Sequence, residues 1–318
     1  MAPLPTPRGG HFTASHTVWD AALDPVAVVR SGDEVEVVAQ EASGGGIRPD
    51  STAADIAVLD LRRINPVVGP FAVEGARPGD ALVVDVLSID LETWGWTALI
   101  PGFGLLADEF PEPYLRTSAV DSTPGGGGVQ LLPDVVLPLS PMVGTLGVAP
   151  PEPGPHSVVP PRRWGGNMDI RDVGPGARVV LPVGVEGALF SLGDVHAAMG
   201  DGEVCGTGVE TTALVRVRLT VAPGRAPASP VVITDQRSFR LETSVATTGI
   251  GPDLMEGARD AVRQAVDLLS DERGISREDA YLLLSLAADL RVSEVVDAPN
   301  WVVTCHVPRR LLPGWPHV

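Results

Sequence analysis

There is no lysine in this 318-residue chain; all 23 basic side chains are arginine. That absence excludes a Schiff base, a phosphate-loop lysine, a pyridoxal anchor, a serine–lysine hydrolase pair and a glutamate–lysine–cysteine triad. Aromatic residues are scarce at 4%, so valine, leucine and alanine must fill the core that a 44% hydrophobic content supplies. The only cysteines are Cys205 and Cys305, and the N-terminal MAPLPTPRGGHF has no apolar stretch. Neither a disulfide framework nor a secretion signal is expected, which points to a reducing cytoplasm. The longest uncharged run, Val135 to Pro151, is broken by prolines and makes no membrane helix.

Positive charge is also in deficit: 23 basic against 40 acidic side chains leaves −17. A surface that negative repels phosphate backbones and anionic lipid, so neither nucleic acid nor membrane is an expected partner. What is abundant is glycine (36) and proline (31), the punctuation of short strands joined by tight turns. Valine-rich runs predict strands at Val26 to Arg30, Glu34 to Ala39, Ala81 to Asp90, Arg178 to Val185, Leu214 to Ala222 and Val231 to Thr234. Ser31-Gly32-Asp33, Pro78-Gly79-Asp80 and Pro175-Gly176-Ala177 each precede such a strand and read as one turn device used three times. Pro111 to Gly128 and the proline-rich Val148 to Arg163 resist regular assignment and read as long excursions.

The last quarter changes period. Leu254, Met255, Ala258, Ala261, Val262, Ala265, Val266 and Leu269 fall on one helical face that Gly274 stops. Ser276 with Asp279 predicts a capping box for a second helix through Tyr281 to Leu290. An αα-hairpin followed by a closing strand, Val302 to Val307, is the expectation. The chain is thus read as one unit, 1–318, β-rich over 1–250 and closed by the helical pair and strand of 251–318.

The polar residues concentrate in one window, Gly193 to Glu210. Asp194 and His196 are two apart, and on an extended segment both point the same way. A carboxylate and an imidazole converging from one strand are two ligands of a catalytic zinc site, which needs three protein groups and an open position for water. Asp201 and Glu203 repeat that spacing, as do Asn167 and Asp169 after Trp164, while His16 with Trp19 and Asp20 forms a third cluster. Each also has a plainer explanation. A histidine can be a satisfied core residue, Asp201-Gly202 a hairpin turn, Asn167 and Asp169 turn residues, Glu210 a strand end and Cys205 a small buried thiol.

The run GGNMDIRDVGPGARVVLPVGVEGALFSLGDVHAAMGDGEVCGTGVE resembles the signature of the acetamidase/formamidase family. SHTVWDAALDPVAVVRSGDEVEV, NPVVGPFAVEGARPGDALVVDVLSI, DLMEGARDAVRQAVDLL and SREDAYLLLSLAADLRVSEVVDAPNWVV are similar to its other blocks, in order. The resemblance implies a mainly β fold, a jelly-roll-like sandwich with additional strands and the C-terminal αα-hairpin. It implies a metal-dependent hydrolase that cleaves short aliphatic amides to carboxylate and ammonia, working as a homo-oligomer (dimer or higher). It also implies Asp169, Asp194 and His196 as metal ligands with His16 as a further group, and Glu203 as general base with Glu210 as its substitute. Asn167 would orient the carbonyl, and Trp19 or Trp164 would wall the pocket. The ion is expected to be divalent, zinc first and calcium as the alternative. Two other readings stand beside this one: a thiol amidase using Cys205, and a non-catalytic β-sandwich binding protein in which calcium is structural.

Overall fold

A computed structural model describes residues 11–315 apart from 105–106, 108–110, 124–126, 133–134, 201, 204, 235–242, 276, 278–279, 281–283, 285–287 and 313–314. The chain is mostly β and forms two large sheets. One has eight strands in the order Asp289–Glu294, Trp301–Pro308, Ser244–Gly251, Val231–Thr234, Arg178–Pro182, Ala81–Leu91, Ala213–Ala222 and Glu34–Ala39. The other has eleven and is organised around Phe190–His196, which lies between Val67–Val73 and Met142–Val148 and pairs at its end with Glu210–Thr211. Among the described residues no helix is long and apolar enough to cross a membrane.

The central valine runs are buried on both faces, whereas the outer pair Glu34–Ala39 and Ala213–Ala222 puts Glu34, Glu36, Arg216 and Arg218 on its second face. In Ala81–Leu91, Leu82, Val84 and Val86 point into the core shared with Phe190, Leu192 and Val195 of the other sheet. The alternate residues Ala81 and Val83 pack outward against Ala261, Ala265 and Leu269 of the helix Leu254–Arg273. Val179 and Leu181 against Val180 repeat the division one strand away. Each buried valine or leucine contributes roughly 1.5–3 kcal/mol of transfer free energy, so period-two alternation with no polar face is the pattern of a layer covered twice.

The helix begins where Asp253 accepts the N–H of Glu256 at 2.9 Å and ends at Gly274, whose φ of 62° is left-handed. The recurring turns share one geometry as well: Gly32, Gly79 and Gly176 have φ of 95°, 95° and 91°. In the first two, the following aspartate accepts the N–H of Arg30 or Arg77 at 2.9 Å. The second predicted helix is shorter than its apolar pattern suggests. Arg277, Ala280 and Leu284 are helical, but Asp289 and Leu290 already belong to the edge strand Asp289–Glu294. Leu290 pairs with Cys305 across that edge, so its apolar character reports a strand. The predicted cap residues Ser276 and Asp279, and Tyr281, lie outside the described residues. Pro111 to Gly128 is no unstructured excursion throughout, since Tyr114–Asp121 pairs along its length with Trp94–Leu99.

A buried polar knot ties the edge of the eight-stranded sheet. His306 contacts Ser244 Oγ through Nδ1 at 3.2 Å and Thr304 Oγ1 through Nε2 at 3.1 Å, and Arg291 donates to Asp172 at 2.9 Å alongside. Burial, and then the Arg291 charge, push the His306 pKa down to about 3. An unfolded imidazole titrates near 6.5, so between those values the unfolded chain binds the extra proton and stability falls as pH falls. The loss is about 1.4 kcal/mol per pH unit, or roughly 2 kcal/mol by pH 5. Denaturant unfolding of wild type and H306Q at pH 7.5 and 5 checks this. The wild type should lose about 2 kcal/mol more than the variant over that interval; equal losses would contradict the assignment.

Candidate active site

Phe190–His196 delivers Asp194 and His196 into one buried space. The strand Gly165–Asn167 pairs with Met142–Val148 and carries the chain into Asp169, whose N–H and that of Met168 both bond the carbonyl of Gly144, at 3.2 and 3.0 Å. Glu210 opens the short strand paired with His196, and Glu203 enters from the loop between. All five side chains are buried. Nε2 of His196 lies 3.3 Å from Glu210 Oε2, 3.4 Å from Asp194 Oδ1, 3.7 Å from Glu203 Oε1 and 4.0 Å from Asp169 Oδ1. Asp169, His196 and Glu203, and likewise Asp194, His196 and Glu210, each bring three ligand atoms within 4.8 Å of one another.

Folding them together is costly in two ways. Six non-glycine residues among those described have positive φ, and Asn65, Asp169, Asp194 and Glu203 are four of them. Left-handed backbone at such residues costs about 1–3 kcal/mol each and persists where the surroundings enforce it. The second cost is electrostatic. Burial, then the neighbouring Asp194, holds Asp169 well above the ordinary carboxylate range. Burial, then Asp169, does the same to Glu203, and burial with Asp194 lifts Glu210 to about 7 even though His196 opposes it. Burial works against the charged imidazole, but Glu210 and Asp194 outweigh it and hold His196 protonated well above its usual value. Among the described residues, both oxygens of Asp169, Oδ1 of Asp194 and Oε2 of Glu210 have no hydrogen-bond partner. Buried carboxylate oxygens left this way are expensive unless a cation takes them.

A surrounding shell fixes the cluster. Asn65 donates to Asn167 Oδ1 at 3.1 Å and to Asp194 Oδ2 at 3.2 Å; Thr145 donates to the same two groups; Asn167 donates to Asp297. Asp297 is raised by burial and then by Asp169. The N–H of Gly208 holds Glu210 Oε1 at 2.8 Å. The cavity they line is small, about 40 Å³, and Leu59, Ile64, Trp96, Ile100, Phe103 and Val159 line it as well. Glu41 accepts the Trp96 indole N–H at 2.7 Å and pins that ring.

The geometry sorts the predicted residues. Asp169, Asp194, His196, Glu203, Glu210 and Asn167 all line the cavity. His16 does not; its Nε2 is 2.9 Å from Ser191 Oγ and it stacks edge-on against Trp19, so its ring is engaged elsewhere. Trp19 packs with Val67 and Val158, and Trp164 lies beneath Arg163 and beside Gly184, so neither walls the cavity. Asp201 lies outside the described residues. Cys205 faces a separate outer cavity of about 430 Å³, with Sγ 3.4 Å from the Thr207 carbonyl, and is not on the His196 side. Asn65, Trp96, Phe103 and Asp297 line the cavity without having been singled out. Asn65 and Asp297 sit in the INPVVG and VVDAPN phrases, where only a proline one or two residues on marks them.

The model of the acetamidase/formamidase family matches residues 9–157 and 152–312, nearly the whole chain. The chain belongs to the acetamidase/formamidase family. A formamidase of Methylophilus methylotrophus is 29% identical, over 93% of this chain and 89% of its own. An acetamidase of Mycolicibacterium smegmatis is 28% identical over 92% and 89%. The crystal structure of a predicted acetamidase/formamidase from Thermoanaerobacter tengcongensis superposes with a TM-score of 0.88 at 32% identity, covering 96% of this chain and 97% of that one. Acetamidase/formamidase membership makes the chain a hydrolase acting on linear amides, and the cluster around His196 is where its buried ionisable groups converge.

Proposed function

We propose that the chain is a metal-dependent amidohydrolase that cleaves short aliphatic amides to carboxylate and ammonia. The observation that carries this reading is the convergence of four buried carboxylates on one imidazole nitrogen in a small cavity that apolar side chains also line. One nitrogen and several hard oxygens suit a divalent ion, zinc before calcium. Asp169, Asp194 and His196 would hold it. His16 is left out of that set because it does not line the cavity. A divalent ion in this place supplies Lewis-acid polarisation of the amide oxygen and lowers the pKa of a bound water.

The remaining work falls to the chain. Glu210 is fixed by Gly208 at one oxygen, whereas Glu203 lines both the inner and the outer cavity. With its affinity for protons raised by burial, Glu203 takes the proton of the attacking water at its carboxylate and delivers it to the departing nitrogen. An amide nitrogen leaves poorly until protonated, so the second transfer matters as much as the first. Asn167, held by Thr145, Asn65 and Asp297, orients the carbonyl. Dialysis against a strong chelator should abolish ammonia release from formamide or acetamide, and Zn²⁺ should restore it. Full turnover by protein verified to be metal-free would sink the mechanism.

A further inference from the structure

Ala42, Ser43, Asn65 and Trp96 line the inner cavity, and all four are tied to a carboxylate that does not line it, that of Glu41. Oε2 of Glu41 accepts the N–H of Ser43 at 2.8 Å and the indole N–H of Trp96 at 2.7 Å, while Oε1 accepts Ser43 Oγ at 2.6 Å and the N–H of Gly45. Glu41 is buried, and its four donors are all neutral groups. The N–H of Gly45 turns back to the carboxylate because Gly44 and Gly45 have φ of 64° and 86°, a left-handed pair that glycine adopts at no steric cost. Ser43 Oγ, which donates to Glu41, accepts the N–H of Ile47 at 2.7 Å, so this one carboxylate organises the turn from residue 41 to residue 47.

The turn reaches the acidic cluster through Asn65. The Asn65 N–H donates to the Ala42 carbonyl at 2.7 Å, and its side chain donates to Asp194 Oδ2 and Asn167 Oδ1. Asn65 precedes Pro66, which favours extended backbone, yet it has φ of 48°. Such a conformation persists where the surroundings enforce it, and the Ala42 carbonyl presented by the Glu41 turn is one such hold. Resting on the amidase reading above, we propose that Glu41 is a positioning residue of this enzyme: through Asn65 it sets the Asp194 carboxylate, and through Trp96 it sets the cavity wall. Glu41 itself touches neither substrate nor ion.

The test compares wild type, E41Q, N65A, W96F and E41Q/N65A as full-length proteins. Glutamine keeps the size of Glu41 but has one acceptor oxygen, and its amide hydrogens would face two of the donors. E41Q should weaken Zn²⁺ affinity, read by chelator competition, by about 10–100-fold and lower kcat for formamide by a similar factor, as loss of a group supporting a metal ligand does. In metal-free protein, amide hydrogen exchange of peptides containing Asn65 should be faster in E41Q than in wild type. Because the effect on the ion runs through Asn65, E41Q should cost less than about 3-fold further affinity in the N65A background. The Trp96 arm is read in KM, which E41Q and W96F should both raise. Should E41Q not fold, S43A, which removes one of the four donors, carries the comparison with smaller shifts in the same direction. A folded E41Q that is less stable but keeps wild-type Zn²⁺ affinity, kcat and KM would make Glu41 structural only and overturn the proposal, as would full additivity of E41Q and N65A. W96F with wild-type KM overturns the Trp96 arm. Wild type that is metal-loaded yet inert toward every amide overturns the amidase reading instead, and the exchange measurement on metal-free protein still decides whether Glu41 holds Asn65.

Discussion

Alanine at position 196 should lower kcat/KM for formamide by at least about 10³-fold, equivalent to about 4 kcal/mol of transition-state stabilisation, and should strip the bound divalent ion. No arginine lines the inner cavity among the described residues, so His196 is its one imidazole and its one potential cation. Its Nε2 is the point on which Asp169, Asp194, Glu203 and Glu210 converge within 3.3–4.0 Å. Removing it leaves four carboxylates facing each other, and buried charges robbed of a partner cost roughly 3–5 kcal/mol. The metal-free variant should therefore also unfold at lower denaturant than metal-free wild type. Metal analysis, ammonia release and a urea titration on the same preparation decide the matter. H196Q, whose amide nitrogen reaches a similar point but offers no lone pair to a metal and takes up no proton, should fail equally. Retention of more than about a tenth of the activity by either variant would remove His196 from the reaction.

The layer of strands was legible because β-branched residues recur at period two, with both faces apolar in the centre of the sheet and one face charged at Glu34–Ala39. Glu34–Ala39 and Val231–Thr234 have the bounds the valine runs indicate. Asp289 and Leu290 misled because an edge strand alternating with charged neighbours offers the same local apolar spacing as the end of a helix, and pairing with Trp301–Pro308 decides between them. Asp194 and His196 were found through a spacing argument that assumed extended backbone. They do reach the same cavity, yet Asp194 has φ of 54° and the strand is irregular where it sits. Asp169 and Glu210 arrive from segments distant in sequence, and Asn65 and Asp297 act through hydrogen bonds that no one-dimensional pattern encodes. The tryptophans show the converse failure: an aromatic beside a polar motif suggests a pocket wall, but Trp19 and Trp164 are used for packing and the wall is Trp96.

G144A and G208A should each lower activity at least about 10²-fold without removing a single functional group. The pairing between Met142–Val148 and Phe190–His196 runs Met142 with His196, Val143 with Val195, then Thr145 with Gly193, stepping past Gly144 and Asp194. That irregularity turns the Asp194 carboxylate into the cavity, and the space it occupies exists because Gly144 has no side chain. A Cβ there would collide with Asp169 Oδ1 and lie 2.9 Å from Asp194 Oδ2. At Gly208 a Cβ would lie 2.6 Å from Nδ1 and 2.7 Å from Cγ of His196. Neither imidazole nor carboxylate can yield cheaply, because Asn65 and Thr145 hold Asp194 and the buried His196 is held among the four carboxylates. A displacement near 1 Å at reacting groups can cost about 10²-fold. The substitutions should accordingly weaken metal retention and kcat together, while the helix and the eight-stranded sheet, which neither glycine touches, keep their circular dichroism. Wild-type kcat in G144A with a full complement of metal would mean that the carboxylates are not held in a fixed constellation, and the site would then have to work by groups other than these.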